Sequence, residues 1–306
     1  MKDFKHREKS SDLNNINNDK QQIGSENPIN ANATTPDILS NKNKSINDFN
    51  HKLRIRFRND SESIGKIVGG THSEPATWPW SVSIQYLGSD FMWYHFCGGS
   101  LVHSHWIITA AHCVSQLEDY TVRIVLGEYQ LSHLSLHEQV VNPVRMYMHG
   151  FFDTNTYLYD IAMVKLERDA MMTSYVQLVE QISPKQDTAN NHDNCFIAGW
   201  GNTVGTVDQS FFSDYLQQSE MTVLSHTECR VYNYVVSDSQ LCIFSHVASA
   251  CSGDSGGPLV CAVGHEWRLT GIASYIGSST CAPSYPNVYT RSSFYADWFK
   301  AVINTK

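Results

Sequence analysis

Cysteine is missing from the start of this chain: all eight occur from Cys97 onward. No disulfide can therefore tie the N-terminal part to the rest. There is also no run of roughly 18 apolar residues, so no transmembrane helix is expected. The opening stretch, Met1-Lys2-Asp3-Phe4-Lys5-His6-Arg7-Glu8-Lys9-Ser10, has no apolar core, so no secretory signal is visible. No close Cys-x-x-Cys pair stands with partnering histidines, which argues against a zinc site. Residues 1 to about 60 are poor in aromatics and rich in Asn, Ser and Lys. They cannot bury enough apolar surface to offset chain entropy, so residues 1–66 read as a disordered leader.

What is present points elsewhere. An even number of cysteines implies an oxidising compartment and a secreted, extracellular protein. The absent signal conflicts with this, and the expectation is a start that omits it, an unusual export route being the alternative. Lys and Arg number 12 against 9 acidic residues in 1–66, but 10 against 21 in 67–306. So acidic a second region argues against nucleic acid as a partner. Three Asn-x-Ser/Thr sequons, at Asn32, Asn43 and Asn59, all fall in the leader, where so much asparagine also makes them expected by chance.

The chemistry concentrates in Gly253-Asp254-Ser255-Gly256-Gly257-Pro258, flanked by Cys251 and Cys261. Glycine allows backbone conformations and close approaches that other residues avoid. A serine held there can attack an acyl group while backbone N–H groups hold the oxyanion. Serine needs a base for this. His112 lies upstream in Thr109-Ala110-Ala111-His112-Cys113, and Asp160 opens Asp160-Ile161-Ala162-Met163-Val164-Lys165-Leu166. Alone, such a histidine is more often structural, and such an aspartate is usually a strand-end residue.

Taken together and in that order, these motifs closely resemble the chymotrypsin-like serine peptidases, the trypsin, chymotrypsin and elastase family. The resemblance covers roughly residues 67–306. It includes Ile67-Val68-Gly69-Gly70, Trp78-Pro79-Trp80, Cys97-Gly98-Gly99-Ser100-Leu101, Gly199-Trp200-Gly201 and Pro286-Asn287-Val288-Tyr289. It implies Ser255 as nucleophile, His112 as general base and then acid, and Asp160 as the group that fixes the His112 tautomer. It also implies the N–H groups of Gly253 and Ser255 as the oxyanion hole. Ser274 matches the serine that hydrogen-bonds near the aspartate. The implied disulfides are Cys97–Cys113, Cys195–Cys261, Cys229–Cys242 and Cys251–Cys281.

The junction Lys66–Ile67 matches the family's activation site. Cleavage there would free an Ile67 ammonium to pair with Asp254, so the chain reads as a zymogen whose leader departs after cleavage. The basic run Leu53-Arg54-Ile55-Arg56-Phe57-Arg58 is either a further processing site or an exposed linker. Ser249, six residues before the nucleophile, stands at the base of the primary specificity pocket, where trypsin-like members carry aspartate. A basic side chain would find no partner there. Asn287 and either Ile276 or Gly277, with Ile276 favoured, form the pocket walls, and Tyr275 stands at the neighbouring subsite. The resemblance is thus to elastase-like or chymotrypsin-like members. An elastase-like preference for small or medium aliphatic side chains is expected, with a chymotrypsin-like preference as the alternative. Glu128 and Glu138 resemble the family's calcium loop, with Ser135 in place of its central acid, so calcium is a candidate ligand; no cofactor is required.

The segments Trp80–Tyr86, Val122–Leu126, Ile161–Leu166, Cys195–Ala198, Leu216–Val223, Pro258–Val263, Leu269–Tyr275 and Val288–Thr290 read as strands of an all-β protein. Periodicity does not separate a barrel from a sandwich. The resemblance implies two six-stranded antiparallel β-barrels, about 67–178 and 179–290, closed by a C-terminal helix about 293–304. Expected partners are a protein or peptide substrate, a trypsin-like activating protease and protein protease inhibitors. The chain should act as a monomer, with no nucleic acid and no membrane. The second class weighed is a non-catalytic binding module on a peptidase fold, which a missing triad residue would signal.

Overall fold

A computed structural model of the chain describes residues 67–179, 181–182, 194–205, 211–264 and 266–305. The leader, with Lys66, the basic run and the three sequons, lies outside the described residues. The strands are β1 (Thr71–His72), β2 (Ser81–Leu87), β3 (Trp93–His103), β4 (Trp106–Thr109), β5 (Val122–Leu126), β6 (Gln139–Val141), β7 (Pro143–Met148) and β8 (Ala162–Leu166). They continue as β9 (Gln181–Ile182), β10 (Cys195–Gly199), β11 (Gln217–Leu224), β12 (Gln240–Phe244), β13 (Pro258–Val263), β14 (Glu266–Ile276) and β15 (Asn287–Arg291). Among the described residues no helix is long and apolar enough to cross a membrane.

The first barrel is a seven-stranded sheet in the order β6-β5-β2-β3-β4-β8-β7. Its edges β6 and β7 are consecutive in the chain, separated only by Asn142. The interruption at Asn142 accounts for seven segments where six were expected. Asn142 is fixed across the break, its side-chain amide donating to Glu167 Oε2 at 3.0 Å and its carbonyl accepting from Glu167 N at 3.0 Å. The second barrel closes fully, because β10, β13, β14, β15, β12 and β11 form a ring through the β11–β12 pairing. Closure leaves no unpaired sheet edge in that ring. Along β2, Val82 and Ile84 alternate inward with the strand period of two. The intervening Ser83 and Gln85 are equally buried, so both faces of this strand are covered.

Three of the strands escape the alternation rule. One of them, β3, contains Gly98-Gly99, which offer no side chain to show a period. Gly98 is required by packing: a Cβ there would lie 2.8 Å from Gly257 Cα. At this approach the Gly98 N–H donates to Ser255 O at 2.7 Å, joining the first barrel to the serine turn of the second. β4 is too short to show a period, and β12 is buried at every position, which erases its alternation.

Trp78 lies in the largest core cluster, edge-on to Trp267 and beside Phe196, each centroid 5.6 Å away. The C-terminal helix is Ala296–Ile303, preceded by a 3₁₀ turn at Ser292–Tyr295. Phe299 and Val302 seat it in the same cluster. Four disulfides form, Cys97–Cys113, Cys195–Cys261, Cys229–Cys242 and Cys251–Cys281, and the described residues hold no free cysteine. Cys97–Cys113 ties β3 to the helix Ala111–Ser115, and Cys251–Cys281 ties the serine turn to the loop after β14.

Candidate active site

Five chain segments meet at one cleft of about 580 Å³, lined by His112, Tyr157, Ser255, Ser274, Tyr275 and Ile276 among others. His112 is carried on the single-turn helix that follows β4. Asp160 lies just before β8 and is wholly buried. Its Oδ1 accepts the His112 backbone N–H at 2.9 Å, and its Oδ2 stands 2.8 Å from His112 Nδ1. Ser274 donates to the same Oδ2 at 2.6 Å, and Thr290 Oγ1 donates to the Asp160 backbone carbonyl at 2.7 Å. Because an ionised carboxylate only accepts, the proton of this pair sits on His112 Nδ1. Nε2 is then the basic nitrogen of the ring.

The serine turn is built by tight hydrogen bonds, Asp254 N to Cys251 O and Gly257 N to Asp254 O, both at 3.0 Å. Gly253 has φ +97°, a conformation that side-chain-bearing residues rarely adopt. A Cβ there would also lie 2.9 Å from the Phe212 ring. Asp254 borders the cleft but is almost wholly buried. Its oxygens accept from Gly201 N and Cys251 N, each at 2.9 Å, while burial pushes its carboxyl up to about 6. Ile67 is fully buried in the second-barrel core with Met221, Ala248 and Tyr289. The next residue, Val68, bridges to Ser249, which donates its N–H to Val68 O at 3.0 Å.

The sequence-expected pocket residues divide into two groups. Tyr275 and Ile276 line the cleft and Gly277 does not. Ser249 and Asn287 are buried and bonded to one another, Asn287 Nδ2 donating to Ser249 Oγ at 2.9 Å. Asn287 Oδ1 accepts from Ala250 N at 2.9 Å, and it is Ala250 that lines the cleft beside them. Ile276 and Asn287 are register partners on β14 and β15.

Sequence reasoning passed over Tyr157, whose ring stands 5.6 Å from His112 and 5.7 Å from Tyr275. Its signal was the aromatic pair Tyr157 and Tyr159 directly before Asp160; both have positive φ. It also passed over buried His95, whose Nε2 lies 2.9 Å from the Gly253 carbonyl. Nothing in the pattern around His95 distinguishes it from a core histidine.

Two groups of side chains carry candidate metal ligands. Cys97, His112 and Cys113 cluster closely, but the two sulfurs form a disulfide and offer no thiolate. Glu128 is nearly buried, and burial, reinforced by the charge of Glu138, pushes its carboxyl up to about 8. Its oxygens accept from Tyr129 N at 3.1 Å and Gln85 Nε2 at 3.4 Å. Glu138 accepts from Ser135 N at 2.8 Å. Among the described residues the one clustered group of possible metal ligands includes neither Glu128 nor Glu138.

A family model described as Trypsin matches residues 67–299. The chain is 36% identical over 250 residues to chymotrypsin-like elastase family member 1 of Rattus norvegicus, covering 79% of this chain and 91% of that protein. It is 35% identical over 254 residues to chymotrypsin-like elastase family member 3A of Homo sapiens, with 79% and 91% covered. Proproteinase E of Bos taurus is 35% identical over 254 residues, with 79% and 97% covered.

Proposed function

Since the chain belongs to the trypsin family and is a serine endopeptidase of the chymotrypsin-like kind, we propose that it is a secreted zymogen, activated by cleavage after Lys66. The active form then hydrolyses peptide bonds through an acyl-enzyme on Ser255. The observation that carries this reading is the buried Asp160 carboxylate, which holds His112 Nδ1 at 2.8 Å at a cleft that Ser255 shares. The proenzyme name of the bovine relative supports the zymogen part.

In this mechanism His112 Nε2 takes the Ser255 hydroxyl proton as Oγ attacks the substrate carbonyl. The N–H groups of Gly253 and Ser255 stabilise the oxyanion, each worth a factor of ~10²–10³ in rate. His112 passes its proton to the leaving amine, and a water then enters by the same route in reverse. Asp160 stays ionised throughout and stabilises the imidazolium. Labelling with a fluorophosphonate before and after cleavage at Lys66 tests the whole reading. Labelling of Ser255 only after cleavage is expected; no labelling after cleavage would overturn it in favour of a binding module.

Substrates with Ala, Val or Leu before the cut fit best. Ser249 offers no charge for a basic side chain, and the Ser249–Asn287 bond fills the base of the pocket behind Ala250. The elastase names of the relatives agree with this preference. The runner-up is a preference for larger hydrophobic side chains. Without an acidic pocket the enzyme cuts its own Lys66–Ile67 bond poorly, so a trypsin-like protease activates it. Protein protease inhibitors would occupy the same cleft, and the enzyme acts as a monomer with no required cofactor. Glu128 and Glu138 would hold a calcium ion, which would relieve the repulsion between them and brace the loop between β5 and β6.

A further inference from the structure

The polar face of β2 is buried and continuous with the serine turn. Gln85 is the register partner of Arg123 on β5 and of His95 on β3, so the three stand in a row across adjacent strands. Ser83 lies two residues earlier, on the same face. Ser83, Gln85 and His95 are 0%, 3% and 5% exposed. Arg123 Nε stands 2.8 Å from Gln85 Oε1, and Gln85 Nε2 stands 3.0 Å from Ser83 Oγ. Ser83 Oγ stands 2.8 Å from His95 Nδ1, and His95 Nε2 stands 2.9 Å from Gly253 O.

The direction of every bond in this chain is fixed by its two ends. A guanidinium only donates, so the Gln85 oxygen faces Arg123 and its amide nitrogen faces Ser83. A backbone carbonyl only accepts, so the proton of His95 sits on Nε2. His95 Nδ1 is then an acceptor, and the Ser83 hydroxyl must donate to it. Burial pushes the His95 imidazole down to about 4, which keeps it in this neutral form. Trp200 and Phe212 pack against the ring, with centroids 5.4 and 5.9 Å away. The second amide hydrogen of Gln85 reaches Glu128 Oε2 at 3.4 Å, so the amide is fully used.

We propose that Gln85 and Ser83 are positioning residues for the oxyanion hole, acting through His95 on the carbonyl of Gly253. The proposal rests on the reading that the Gly253 N–H holds the oxyanion. Gly253 has no side chain to restrain it and sits at φ +97°. A directed bond to its carbonyl fixes the peptide plane on one side of the residue whose N–H must point into the cleft. Loss of an upstream donor frees the Ser83 hydroxyl to rotate and the His95 tautomer to change, and the carbonyl then loses its only partner in this chain of bonds.

The test uses the full chain activated by a trypsin-like protease. Gln85→Leu and Ser83→Ala should lower kcat about tenfold, with KM changed less than about twofold, the size expected of one positioning hydrogen bond. Affinity for a peptide boronic acid, whose tetrahedral adduct occupies the oxyanion hole, should fall by the same factor, while affinity for the cleaved peptide product stays constant. Ser83→Thr keeps the hydroxyl and should restore both. Nitrogen-15 NMR of His95 should show a neutral ring protonated on Nε2. A proton on Nδ1, or an unchanged kcat and boronate affinity in folded Gln85→Leu and Ser83→Ala, would overturn the proposal. Equal losses of boronate and product affinity would also overturn it, since they would show a merely structural role. Should Gln85→Leu fail to fold, the Ser83→Ala and Ser83→Thr pair decides alone. Fluorophosphonate labelling of the activated wild type separates the cases: an unlabelled wild type would defeat the peptidase reading itself.

Discussion

Ser274 and His112 converge on a single oxygen of Asp160, at 2.6 and 2.8 Å, from opposite barrels. Ser274 lies on β14 and His112 follows β4. The second barrel therefore helps to fix Asp160, which in turn holds His112 in the first. Ser274→Ala removes one donor to an ionised group, worth about 1.5–3 kcal/mol. Steady-state kinetics of the activated variant should show kcat/KM lowered by roughly ten- to a hundredfold with the fold intact.

Asp254 should reverse its role on cleavage. In the uncleaved chain its carboxyl titrates at about 6, above the ~3.9 of an unfolded aspartate. Between those values the folded state holds a proton that the unfolded state has released. Stability therefore falls as pH rises from about 4 to about 6 and stays lower above that. Asp254→Asn should raise the melting temperature of the uncleaved protein by a few degrees at pH 8 and change it little at pH 4. In the cleaved enzyme the same substitution strands the Ile67 ammonium. Activity should then drop at least about a hundredfold, in line with the ~3–5 kcal/mol of a broken buried pair.

Asn287 is hydrogen-bonded to Ser249 and to Ala250, and Ala250 lines the cleft proposed as the specificity pocket. Asn287→Gly should deepen it. On a peptide library the ratio of Phe to Ala cleavage should rise about tenfold or more, since each extra buried methylene contributes 1–3 kcal/mol of discrimination or less. Purified wild-type zymogen incubated alone should gain little activity, whereas a trace of trypsin-like protease should activate it.

Calcium should raise the melting temperature at pH 8, where the Glu128 carboxyl is about half ionised without metal. Glu128→Gln removes both the ligand and the repulsion. Its melting temperature should exceed that of the metal-free wild type and no longer respond to calcium.

Gly98→Ala places a Cβ 2.8 Å from the Gly257 Cα, and backbone cannot yield cheaply there. Destabilisation of about 1–3 kcal/mol is expected in denaturant titrations. Activity should suffer too, because the Gly98 N–H holds the Ser255 carbonyl at 2.7 Å.

Much of this was legible in the residues. Short β-rich segments located β5 and β13 to the residue, and the glycine-flanked Ser255 marked the serine turn. Other signals were present but unread. Ser225 and Glu228 form a reciprocal capping box that starts the helix His226–Val231. Helix Ala111–Ser115, a single turn, leaves no period to read. β3 is absent from the segments that read as strands, and its Gly98 shows why: sequence reveals a missing side chain but not the backbone pressed against it.

By itself the sequence determined the chemical inventory: a serine turn, one histidine and one aspartate in a recognisable order, eight cysteines, and no acid at position 249. These are local properties, set by residue type and near neighbours. Only the tertiary structure decided which groups touch. Asp160 and Ser274 are 114 residues apart, and His95 and Gly253 are 158 apart. Their bonds depend on the register of the two sheets and on burial, which removes water as a competing partner and gives each hydrogen bond a direction.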